Sequence, residues 1–108
     1  MQVSDHNLLI LAHRGARTQA PENTLAAFRL AIEQGADGIE MDVRLTADGE
    51  VVVFHDEKLG RITGAEGRVN RHTLSELKRL DAGCHFSREY AGERIPTLRE
   101  VFSSLDGS

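Results

Sequence analysis

Glu40 and Asp42 stand one residue apart in Gly38-Ile39-Glu40-Met41-Asp42-Val43, and His55-Asp56 follows on the next apolar run. His13-Arg14-Gly15 closes the first apolar run. At strand spacing two carboxylates project to the same side. Buried together without a cation they repel and are costly to desolvate; with a hard divalent cation they become ligands. An Arg for an anion and two His for proton transfer make the set suited to metal-assisted cleavage of a phosphate ester. Taken singly, each residue has a plainer explanation. The carboxylates fit the solvated face of an amphipathic strand, each His fits a surface position, and Gly15 fits a turn. Their coincidence at the ends of apolar strands speaks for chemistry, because α/β folds bind ligands at the carboxyl ends of strands.

The elements that must position these residues are legible in outline. Leu8-Leu9-Ile10-Leu11-Ala12 is a continuous apolar run, as in a strand buried on both faces. Leu25, Phe28 and Ile32 recur at helical spacing, with Asn23 or Thr24 to cap the start and Gly35 to end it. Residues 38–45 alternate strictly, which predicts one strand with Ile39, Met41, Val43 and Leu45 on its apolar face. Thr46-Ala47-Asp48-Gly49 is a turn, and residues 50–55 form the next strand. If that turn is a four-residue loop, Leu45 faces Glu50, Glu40 faces His55 and Asp42 faces Val53. The carboxylates and His55 then share a face. Residues 57–72 and 81–95 read as loops. Thr73-Leu74-Ser75-Glu76 and Thr97-Leu98-Arg99-Glu100 are capping boxes opening two further helices. His6, His72 and His85 read as tail or loop residues. Arg61, Arg68, Arg71, Arg79 and Arg88 scatter through the second half and are expected to be mostly solvated.

The 108 residues suffice for one small domain, and 40% hydrophobic with 28% charged residues is ordinary for a soluble folded protein. A net charge of −4 without a basic tract speaks against a nucleic-acid groove. It leaves room for a phosphate-bearing small molecule. One cysteine, Cys84, allows neither an intrachain disulfide nor a thiolate zinc cluster. There is no secretory signal and no run long enough to span a membrane, so a cytoplasmic protein is the expectation.

In these motifs the chain resembles the glycerophosphodiester phosphodiesterase family. The matching stretches are Ala12-His13-Arg14-Gly15, Pro21-Glu22-Asn23-Thr24-Leu25, residues 35–43, Thr46-Ala47-Asp48-Gly49 and Val53-Phe54-His55-Asp56. Arg61-Ile62-Thr63-Gly64, Gly67-Arg68-Val69 and Ile95-Pro96-Thr97-Leu98 follow in order. The resemblance implies an α/β fold, the N-terminal portion of a TIM-type (β/α)8 barrel, with an insertion at about residues 58–94. It implies hydrolysis of a small glycerophosphodiester to an alcohol and glycerol 3-phosphate, with Ca²⁺ or Mg²⁺. Glu40 and Asp42 would be metal ligands, His13 and His55 the acid/base pair, and Arg14 the phosphate holder. Such a barrel usually runs to roughly 250 residues. The family's further acidic ligand, in a Glu-x-Lys pattern, would lie beyond Ser108. Residues 1–108 therefore read as a partial domain, expected to self-associate, to need a complementary C-terminal segment, or to come from a longer chain. A phosphoinositide- or sphingomyelin-type phospholipase and a non-catalytic metal- or phosphate-binding fragment are the competing readings.

Overall fold

The computed structural model describes residues 2–3 and 10–106, so His6 and residues 8–9 of the first apolar run lie outside the described residues. Strand β1 (Gln2–Val3) runs antiparallel to β2 (Ile10–His13), and β2 runs parallel to β3 (Gly38–Glu40). The parallel register sets His13 opposite Glu40. Helix α1 (Leu25–Glu33) makes the crossover between β2 and β3. Its start is fixed by Thr24, whose Oγ1 accepts from the Ala27 amide at 3.2 Å and donates to the Pro21 carbonyl at 2.7 Å. Thr24 is buried, so water cannot take over either bond. Thr24→Ala is expected to cost about 1–2 kcal/mol, with Thr24→Ser close to the parent, both read by urea denaturation. Equal losses in the two variants would show that packing of the methyl group, not the cap, matters.

Strands β4 (Val43–Leu45) and β5 (Val51–Val53) form a separate antiparallel hairpin. The strand predicted to run unbroken through residues 38–45 is thus two strands in two sheets. The chain passes from one sheet to the other at Met41 and Asp42, where the ladder to β2 has ended and the ladder to β5 is beginning. The hairpin register also differs from expectation. Leu45 pairs with Val51 and Val43 with Val53, and the Thr46 amide donates to the Glu50 carbonyl. The loop is therefore three residues, Ala47-Asp48-Gly49, with Gly49 left-handed at φ 82°. That is the familiar three-residue hairpin geometry. A one-residue slip changes every facing pair. Glu40 does not face His55, and Asp42 does not face Val53; instead the Asp42 carbonyl accepts from the Phe54 amide.

β5 is apolar throughout because it is covered on both faces. Val53 packs with Phe28 of α1 and Val101, joined by Ile39 and Met41. Val52 and Phe54 point into a second cluster with Leu59, Ile62, Val69, Leu77 and Ile95. This second cluster anchors the stretch expected to be loop. Residues 57–72 contain a one-turn helix α2 (Gly60–Thr63) and a 3₁₀ turn at Val69–Arg71. Helix α3 (Leu74–Leu77) carries the first capping box, and α4 (Leu98–Asp106) the second. Val43 and Leu45, expected on the core face, are 51% and 58% exposed. The core face of the alternating run ends at Met41. Among the described residues no helix is long and apolar enough to cross a membrane.

Candidate active site

The chain leaves β2 at His13 and reverses at once. Arg14 and Asn23 both adopt the left-handed conformation, at φ 58° and 57°. For an Arg this is a sparsely populated and strained state. The strain is held by two backbone bonds, Arg14 amide to Glu40 carbonyl at 2.7 Å and Asn23 amide to Arg14 carbonyl at 2.9 Å. Gly15, at φ 80°, lies so close to α1 that a Cβ there would stand 2.8 Å from the Ala27 Cβ. The loop is thus clamped between β3 and the start of α1, and that clamp aims His13 and Arg14.

His13 Nε2 meets Glu40 Oε1 at 2.9 Å. The Arg14 side chain is only 14% exposed and lies between two carboxylates, Glu22 and Asp42, at 3.3 Å from each. Its Nε is buried and makes no hydrogen bond; the contact with Asp42 is an ion pair that lacks hydrogen-bond alignment. Asp42 Oδ2 also accepts from the Asn23 side-chain amide at 3.1 Å. His55 follows β5, and its carbonyl accepts from Arg44 Nε and Nη2. His55 Nδ1 lies 2.8 Å from Asp56 Oδ1.

All five predicted site residues are therefore held by polar partners, four of them in one constellation: His13, Arg14, Glu40 and Asp42. Among the described residues no hydrogen bond or ion pair joins His55 to them directly. It joins through a chain of ion pairs that the sequence did not signal. Asp56 and Glu22 are both bound by Arg61, and Glu22 in turn meets Arg14. Arg61 is thus not simply solvated, as its place among scattered arginines suggested. Glu22 was visible only as a member of a short motif, and Asn23 there and as a candidate helix cap, a place that Thr24 takes.

The charges of this chain are reflected in its carboxyls. Hydrogen bonds from Arg61, assisted by His55, outweigh the desolvation that opposes them and hold Asp56 down from 3.8 to about 2. At Glu22 burial is the largest influence and pushes upward. The hydrogen bond and charge of Arg61, with the charge of Arg14, outweigh it, and the net shift is downward. A depressed carboxyl contributes stability that is complete above its unfolded value and lost as pH falls through its folded value. For Asp56 the window runs from 3.8 down to about 2. The stability difference between the parent and Asp56→Asn is expected to shrink as pH falls through that window. A difference unchanged between pH values above and below it, by urea denaturation, would show that the Asp56 charge plays no part.

Among the described residues no group of three or more His, Cys, Asp or Glu side chains is placed to hold a metal ion. Glu40 and Asp42 thus offer two hard oxygen donors, a partial set for an ion that takes six to eight.

Residues 13–107 match the model of the glycerophosphoryl diester phosphodiesterase family. A glycerophosphodiester phosphodiesterase of Caldanaerobacter subterraneus subsp. tengcongensis is 60% identical over 97 residues, covering 90% of this chain and 40% of that protein. The chain superposes with a TM-score of 0.89 on an Oleispira antarctica phosphodiesterase whose structure is in complex with the product sn-glycerol-3-phosphate. That match is 46% identical and covers 92% of this chain and 40% of the other. A glycerophosphodiester phosphodiesterase from Agrobacterium tumefaciens gives a TM-score of 0.88 at 47% identity, covering 92% of this chain and 43% of the other. The chain thus spans about 40% of the length of these relatives.

Proposed function

The chain belongs to the glycerophosphoryl diester phosphodiesterase family, and from that premise we propose that its site serves the hydrolysis of a glycerophosphodiester to an alcohol and glycerol 3-phosphate. One observation carries the reading. The parallel register of β2 and β3 brings His13 to Glu40, and the strained loop that follows holds Arg14 against Asp42. Two bases, two hard-oxygen donors and a largely shielded cation are what a phosphodiester requires.

The roles follow from the chemistry. Arg14 binds the phosphate. Its side chain is largely shielded from water, which strengthens charge-assisted bonds to an anion. One of His13 and His55 takes a proton from the attacking oxygen, and the other gives one to the leaving alkoxide. Glu40 and Asp42 would be this chain's ligands for Ca²⁺ or Mg²⁺, which would supply neutralisation of phosphoryl charge. Asn23 holds one Asp42 oxygen, which orients the carboxylate. The two open sheets are taken as part of a TIM-type barrel, with residues 58–94 as an insertion beside the mouth.

The test is release of glycerol 3-phosphate from a simple glycerophosphodiester with Ca²⁺ or Mg²⁺, then with chelator. In parallel, ¹⁵N-labelled chain is titrated with the same ions and glycerol 3-phosphate. Chelator-sensitive turnover lost in Glu40→Gln supports the reading. Turnover without metal dependence would remove Glu40 and Asp42 from their role. Neither turnover nor shifts confined to residues around 13, 40 and 42 would sink it for this chain.

A further inference from the structure

Arg61 stands on α2, away from the strand ends, yet its guanidinium makes four hydrogen bonds to two carboxylates. Nη1 and Nη2 reach the two oxygens of Glu22, each at 2.9 Å. Nε and Nη2 reach the two oxygens of Asp56, at 2.9 and 3.1 Å. Two edges of one planar cation are thus each matched to a carboxylate, an arrangement a lysine cannot reproduce. The anions are the less exposed partners, with side chains 12% exposed at Glu22 and 24% at Asp56 against 50% at Arg61. Arg61 is in turn fixed by its neighbours, since Leu59 and Ile62 are buried in the second core cluster.

Beyond each carboxylate lies a residue with a role in the proposed reaction. Asp56 Oδ1 meets His55 Nδ1, and Glu22 Oε2 meets Arg14 Nη1. An ionised carboxylate can only accept, so His55 must donate from Nδ1. Its proton-free nitrogen is then Nε2. We propose that Arg61 is a positioning residue: by clamping Asp56 it holds His55 in the Nδ1–H form with Nε2 bare, and by clamping Glu22 it steadies the guanidinium of Arg14. This role rests on the phosphodiesterase reading for its purpose, though its geometry does not. The depressed Asp56 carboxyl agrees with it, since the acceptor stays ionised throughout the neutral range.

The tautomer is directly measurable. In ¹⁵N-histidine-labelled chain, at a pH where the rings are neutral, His55 is expected to show the Nδ1–H pattern in long-range ¹H–¹⁵N spectra. Arg61→Ala is expected to shift the balance several-fold toward Nε2–H while His72 and His85 keep their patterns. Arg61→Lys is expected to restore it only in part. Arg61→Gln serves in place of Arg61→Ala if the latter does not fold. Where the parent turns over, Arg61→Ala is expected to lower kcat about 10- to 100-fold through misplacement, with a smaller change in KM. An unchanged His55 pattern in a folded Arg61 variant would overturn the proposal. A shifted pattern in a chain that neither turns over nor binds product would uphold the clamp and sink the phosphodiesterase reading instead.

Discussion

Gly15→Ala is expected to remove about 2–5 kcal/mol of stability, a large part of what a domain this size has. Two costs combine. The position has φ 80°, where an L side chain costs about 1–2 kcal/mol. The new methyl would also stand 2.8 Å from the Ala27 Cβ and 2.9 Å from the Ala27 carbonyl carbon. Ala27 is fully buried and its carbonyl already accepts from the Ala16 amide, so this neighbour cannot swing aside. Forcing it costs about 1–3 kcal/mol more. Gly35→Ala separates the two costs, because Gly35 has φ 89° but nothing within 4 Å of a new Cβ. It is expected to lose only the conformational part. Urea midpoints and m-values of both variants decide it. Equal losses would mean that the close approach of the loop to α1 is unimportant. A variant that folds would also displace Arg14, since the loop can relieve the contact only by moving away from the helix.

His13→Ala and His55→Ala are each expected to lower kcat about 10²–10⁴-fold, the usual worth of a positioned acid or base. The double variant is expected to fall well short of the product of the two losses, because residues acting as a unit are not additive. The structural environments of the two rings differ. His13 is paired with Glu40, so its removal also frees a carboxylate assigned to the metal. His55 is paired with Asp56, so its removal leaves the Arg61 clamp in place. Metal affinity is therefore expected to change in His13→Ala and to stay near the parent in His55→Ala. The measurement is kcat against metal concentration for the parent and three variants. Single variants that keep parental turnover would remove the histidines from the proton-transfer role.

Local signals made part of this site legible. The end of an apolar run located His13, helical spacing and Thr24 located α1, and two capping boxes located α3 and α4. Each of these is a short-range pattern with a stated physical cause. What escaped depended on a single residue or on distance. One residue of loop length separated the expected hairpin register from the observed one, and the change of sheet between Glu40 and Val43, not that slip, set Glu40 beside His13 rather than His55. The break at Met41 and Asp42 escaped because alternation continues smoothly through it while the pairing partner changes. Arg61 lies 39 residues from Glu22, and a lone arginine in a polar stretch carries no periodicity to reveal its partner. The Glu40–Asp42 motif was singled out by residue identity, and the facing pairs inferred for it are not the ones formed.

The two sheets also differ in how far the chain must travel to close them. The hairpin of β4 and β5 joins across a three-residue loop, whereas β2 reaches β3 only after the whole of α1. Hairpins form in about 1–10 μs, and contacts between distant residues are slower because loop entropy is lost before they are made. His55 thus rides on the part expected to assemble early, and His13 on the part expected to assemble late. Pulse-labelled hydrogen exchange during refolding should protect the Val51–Val53 amides before those of Gly38–Glu40; the reverse order would contradict it. Because the two halves of the charge chain are expected to form on different clocks, the ion pairs that join His55 to Arg14 are expected to close only after the later half is in place.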